Sequence, residues 1–82
     1  MLLTPKVRNM RAALGIYLRR HRLEKRRTQE EMARKLGFTS SYYQRLEHGN
    51  AGVHGPQVVP LLRRFGVKKT AAEALARKWR AA

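Results

Sequence analysis

Apolar and half-apolar side chains recur at Val7, Met10, Leu14, Tyr17, Leu18 and His21, in steps of three and four. That spacing predicts one face of a helix running from a Thr4-Pro5 start to about Lys25. Gly15 interrupts the helix and marks either a close contact with a second helix or a break. Thr28-Gln29-Glu30-Glu31 has the form of a capping box and opens a short second helix, with Met32, Ala33 and Leu36 turned inward and Gly37 ending it. Thr39 caps a third helix, Ser40 to about His48, stopped by Gly49. Residues 50–55 read as a loop. A proline deep inside a helix costs about 3 kcal/mol, so the fourth helix is expected to hold Pro60 in its first turn, to bury Leu61, Leu62 and Phe65, and to end at Gly66. A second capping-box pattern, Thr70-Ala71-Ala72-Glu73, opens a last helix whose apolar line is Ala72, Leu75, Ala76 and Trp79. No stretch alternates with a period of two. The chain is expected to be all-α, with four or five short helices.

Composition narrows the possible functions. The chain has 82 residues, no cysteine and no aspartate, and 19 Lys/Arg against five glutamates, for a net charge of +14. This is enough for one small core and too little for a deep substrate cavity, so no enzymatic activity is expected. Lack of cysteine excludes a disulfide scaffold and a thiolate zinc site, and suits a reducing cytoplasm. His48 and His54 share a loop without a third ligand, so no metal and no cofactor is expected; His21, on the apolar face, reads as an interior histidine. The opening residues lack a secretion-signal pattern, and no apolar run approaches the roughly 18 residues of a membrane span.

The charge is uneven. Residues 1–27 carry a net +8, residues 28–50 a net of zero and residues 51–82 a net +6. A neutral, patterned centre between two basic arms fits a folded unit that meets a polyanion better than a disordered polycation. Within that centre, two capped helices joined by Gly37-Phe38-Thr39 make a helix-turn-helix unit. Tyr43 and Leu46 of its second helix fall on the side that locks against Met32, Ala33 and Leu36. Ser40, Ser41, Gln44 and Arg45 fall together on the opposite side, where every residue can donate a hydrogen bond and none is a carboxylate.

The run from Thr28 to Gly37, followed by Tyr42-Tyr43-Gln44-Arg45-Leu46-Glu47-His48-Gly49, resembles the phage repressor/Cro type of helix-turn-helix, the XRE family, and Leu14 to Arg22 is similar to that family's first helix. The resemblance covers about residues 10–67. It implies a five-helix, lambda-repressor-like domain that enters the major groove of double-stranded DNA, usually as a homodimer on a near-palindromic operator. By the same resemblance Ser40, Ser41, Gln44 and Arg45 read bases, with Arg45 suited to guanine O6 and N7. Gln29, Arg26, Arg27, Thr39, Tyr42 and Asn50 contact phosphates, and Arg22 and Glu47 pair to bridge the first helix to the end of the third. Tyr42 has a second reading, as a cover for the first helix. Where the family commonly has a glycine and an apolar residue before its second helix, this chain has Arg26-Arg27, which adds phosphate contacts and leaves the shape of that turn open. Residues 1–67 are expected to form the DNA-binding domain. Residues 68–82 form a basic amphipathic helix whose Leu75/Trp79 face either folds back on the core or makes a dimer contact.

Three functions compete at this level. The first is a sequence-specific regulator, by default a repressor. The second is an antitoxin that binds a toxin and autoregulates its operon. The third is a basic architectural or RNA-binding protein indifferent to sequence, which accounts for the charge but gives the donor face of the third helix no purpose.

Overall fold

The computed structural model describes residues 5–53 and 55–81, and the side chains of 9–53 and 56–79 among them. Thr4, His54 and the side chains of Val7 and Arg80 therefore lie outside the described residues. These contain five α-helices, one 3-10 turn and no strand: α1 (Pro5–Glu24), α2 (Gln29–Leu36), α3 (Ser40–Glu47), the 3-10 turn Gly55–Gln57, α4 (Val58–Arg64) and α5 (Lys69–Ala81).

The helix boundaries follow local chemistry. Thr28 caps α2 by accepting from the Glu31 amide at 3.1 Å, while the Glu31 carboxylate accepts from the Thr28 amide at 2.9 Å. Pro60 sits in the first turn of α4, where it costs no hydrogen bond. Four helices end the same way. In each, one residue at the stop bonds back three positions, and its successor bonds back five: Arg26 to Leu23 and Arg27 to Arg22, Gly37 to Arg34 and Phe38 to Ala33, Gly49 to Leu46 and Asn50 to Arg45, Gly66 to Arg63 and Val67 to Leu62. The first residue of each pair is left-handed, with φ of 55°, 78°, 74° and 103° respectively. Three of the four are glycines; at the end of α1 an arginine takes the glycine's place. The α1–α2 turn thus keeps the ordinary geometry of such a stop despite Arg26-Arg27.

The last helix starts two residues earlier than its Thr70/Glu73 pattern implied. Val67 is buried, and the Lys68 carbonyl accepts from the Ala72 amide at 2.8 Å, so the cap falls at Lys68 and Thr70 lies within the first turn. Burial of Val67 fixes the chain ahead of any help a Thr70 hydroxyl could offer.

One core joins all five helices. Leu14 and Leu18 of α1 meet Met32 and Leu36 of α2, Tyr43 and Leu46 of α3, Leu62 of α4, and Ala72 and Ala76 of α5, with Phe65 at the α4 stop among them. Trp79 is buried and lies edge-on to Tyr17, with ring centroids 5.7 Å apart. Tyr17 in turn stacks on His21 at 5.4 Å, and His21 lies 5.3 Å from Phe65. This aromatic row fastens α5 and the end of α4 to α1. Leu75, half-buried, packs at its margin.

Candidate nucleic-acid interface

Helix α3 is held on one side only. Thr39 caps it by accepting from the Tyr42 amide at 3.2 Å, and the left-handed Gly37 lets the chain turn tightly from α2. Tyr43 and Leu46 are wholly buried and Glu47 nearly so. Consequently Ser41, Gln44 and Arg45 stand exposed, with Ser40 half-buried at the edge of the same face. None of these four side chains makes a hydrogen bond or ion pair to the rest of the described chain. The face is a row of unengaged donors on a rigidly mounted helix, which is what an acceptor-rich groove edge requires.

The mounting lies at the other end of α3. Gly15 permits it: a Cβ there would stand 2.5 Å from the Glu47 carbonyl oxygen and 2.6 Å from that of Leu46, both backbone atoms. The α1 backbone therefore approaches the end of α3 more closely than any other residue would allow, and the sequence alternative of a helix break is ruled out. Arg22 clamps the contact, its Nε donating to Glu47 Oε2 at 2.6 Å and its Nη2 to Oε1 at 3.1 Å. Its Nη1 donates to the Arg27 carbonyl at 2.9 Å, tying in the α1–α2 turn. Gln29 Nε2 adds a third bond to the carboxylate, at 3.0 Å to Oε1. Burial opposes ionisation of Glu47, but the bonds from Arg22 first, and then its contacts with Tyr43 and Gln29, hold its pKa below the usual 4.5. The hydrogen bond to Glu47 outweighs desolvation at Arg22 and raises its pKa. The Tyr43 hydroxyl is buried beside the cluster without a hydrogen bond of good geometry, and burial first, then Glu47, push its pKa well up.

The residues expected at phosphates divide. Arg26, Arg27, Thr39 and Asn50 are all exposed, and the Thr39 hydroxyl, which accepts at the cap, keeps its own proton for an outside acceptor. Gln29 is half-buried and gives one amide proton to Glu47, leaving the other free to face outward. Tyr42 is already engaged within the fold: its hydroxyl donates to the Gly52 carbonyl at 3.1 Å and its ring packs edge-on against Phe38 at 5.0 Å. With its one proton already donated, the phenol has nothing to offer a phosphate, and Tyr42 pins the loop after α3 instead.

Sequence reasoning missed three features. Gln29 serves the Arg22–Glu47 pair, a role for which the chain carries no local signal. Lys25 reaches the α4 stop, its Nζ 3.4 Å from the Phe65 carbonyl and 5.9 Å from that ring's centroid. Arg11 lies against the backbone at Gly52, with its Cγ 2.9 Å from where a Cβ would be. Among the described residues no three His or Glu side chains gather as a metal site, and no helix is long and apolar enough to cross a membrane.

Comparison with known proteins bears on this arrangement. Residues 13–75 match the profile of the helix-turn-helix domain family, a span that begins inside α1 and ends inside α5. No curated protein and no solved structure matches the chain. Because the match takes in well over half of the sequence, including the α2–turn–α3 unit with its exposed donor face, the chain belongs to the helix-turn-helix domain family and is by that membership a DNA-binding domain.

Proposed function

We propose that this protein is a sequence-specific regulator of the phage repressor/Cro type, binding double-stranded DNA and acting by default as a repressor through occupancy of a promoter. The observation that carries the reading is the donor face of α3: Ser41, Gln44 and Arg45 exposed and unengaged, on a helix whose opposite side is wholly buried. An architectural protein needs charge without such a face. In this reading Arg45 takes guanine O6 and N7 together, Gln44 and the two serines meet neighbouring base edges directly or through water, and Arg26, Arg27, Thr39, Asn50 and the outer amide proton of Gln29 fix the backbone. The buried seam between α1 and α3 sets the angle at which the face is presented. Helix α5 belongs to the same folded unit, a reading that the contact of Trp79 with Tyr17 supports. Two copies sit on a near-palindrome with half-sites about 34 Å apart or a multiple of that.

Selection of a site from a random pool of duplexes, followed by fluorescence anisotropy on the selected and a shuffled duplex, tests the reading. The native chain is expected to prefer the selected site by at least about a thousandfold. Arg45→Ala should cut that preference by about tenfold or more, equivalent to 1–3 kcal/mol, while leaving affinity for the shuffled duplex nearly unchanged. Equal affinity for both duplexes at every salt concentration would overturn sequence-specific regulation.

A further inference from the structure

The α1–α2 turn and the α4–α5 turn are nearly 40 residues apart in the chain but meet in space. Lys25 brings them together: its ammonium bonds the Phe65 carbonyl, and a Cβ on Gly66 would lie 3.2 Å from the same nitrogen. Lys68 is two residues beyond Gly66, at most about 7 Å along an extended chain. One edge of the molecule thus collects Lys25, Arg26 and Arg27 from one turn with Lys68 and Lys69 from the other, all of them exposed. The stretch 63–72 has four basic residues and no acid; Glu24 is the one carboxylate between residues 19 and 27. Arg22–Glu47 is the one ion pair among the described residues, so none of these five cations is paired with a carboxylate.

Helix electrostatics explain only part of this gathering. Cations at the carboxyl end of α1 complement its negative pole, which accounts for Lys25. The same argument runs against Lys68 and Lys69, which open α5 at its positive pole with no acidic residue in the first turn. Arg26 shares the favourable pole with Lys25, but it holds φ +55° at a position where the other three stops use glycine, a backbone cost that its charge does not require. Each of these residues costs the free protein stability, and each presents a cation to solvent on the same edge.

From this we infer that the edge is a second phosphate-binding track, which holds the backbone of the bound duplex beyond the segment that α3 reads. Continuity with the first site supports one duplex: Arg22 binds both the Arg27 carbonyl and Glu47, and Gln29 meets the same carboxylate, so the track leaves the reading helix through the α1–α2 turn. The inference rests on α3 entering the duplex and extends from Arg26 and Arg27, but it predicts contacts by Lys25, Lys68 and Lys69 that reading does not need.

The test uses the full chain, a random-sequence 40-base-pair duplex and a 16-base-pair one, and Lys68→Gln/Lys69→Gln across a salt series. Loss of two phosphate contacts should lower the slope of log K against log salt by about 1.8 on the long duplex, so that the deficit of the variant shrinks about tenfold between 50 and 200 mM salt. On the short duplex the variant should match the native chain more closely, and its preference for the selected site should survive. Removing cations from the start of a helix relieves an unfavourable interaction with its positive pole, so a thermal midpoint at or above the native one will accompany the lost affinity. A native slope and native affinity on the long duplex would overturn the track while leaving the reading by α3 intact. Loss of site preference in the native chain with the slope change retained would overturn that reading and keep the track as a general backbone contact.

Discussion

The two sides of α3 are built by opposite rules. Toward α1 the approach is so close that only a glycine fits, and a carboxylate is spent on three internal hydrogen bonds. Toward solvent the same helix presents the hydroxyls of Ser40 and Ser41, the amide of Gln44 and the guanidinium of Arg45, which bond to nothing else among the described residues. The contrast shows how a chain of this size can read a surface: one side is made immobile at the expense of polar groups, so that the other can remain unengaged and still be aimed. A small reader cannot do both with one set of side chains.

Removing Glu47 should separate the two sides most sharply. Glu47→Ala leaves the Arg22 guanidinium, whose side chain is only 12% exposed, without its partner. The expected loss is about 3 kcal/mol, the low end for a broken buried pair because Arg22 keeps some access to water. In an 82-residue domain that lowers the midpoint of thermal unfolding by more than about 10 °C. The pair also sets an acid limit. Because the native pKa of Glu47 lies below its unfolded value near 4.5, its contribution is complete above pH 4.5 and disappears as pH falls through the lowered native value. Glu47→Gln should therefore show a shallower loss of stability between pH 5 and pH 3 than the native chain, read from urea midpoints. Equal slopes would mean that the carboxylate bears no such linkage.

Gly15→Ala ranks next. Alanine favours a helix by up to about 1 kcal/mol over glycine, but the added carbon would strike two backbone carbonyl oxygens, and such overpacking costs about 3 kcal/mol. The net loss of about 2 kcal/mol should appear in thermal unfolding, and site preference should fall even where the protein remains folded, since α3 is pushed from its seat. A midpoint at or above the native one would show that the close approach is not needed.

The smallest expected effect has the opposite sign. Arg26→Gly relieves a left-handed backbone and should raise stability by up to about 1 kcal/mol, partly offset by the greater freedom of glycine when unfolded. Affinity for any duplex should fall at the same time. If stability and affinity both rise, Arg26 has no part in binding.

Much of the fold was legible because its signals are local. Thr28 with Glu31, Thr39, and the glycines at 37, 49 and 66 act within about five residues of themselves, and each boundary they imply is where the helix begins or ends. The pattern at Thr70 and Glu73 was misleading because a distant event, the burial of Val67, settled where α5 starts. The donor face was legible from helical spacing alone. The hydroxyl of Tyr42 was not, since its acceptor is the Gly52 carbonyl across a loop with no regular pattern.

By itself, then, the chain determined its helices, its helix-turn-helix unit and the division between a neutral centre and basic arms, because capping, periodicity and charge are properties of neighbouring residues. Only the tertiary structure decided that Gln29 turns in to Glu47, that Gly15 is a point of contact and not a break, and that the two basic turns share one edge. Those outcomes join residues 18 to 40 positions apart, and across such distances partners are chosen by how the helices pack around a common core.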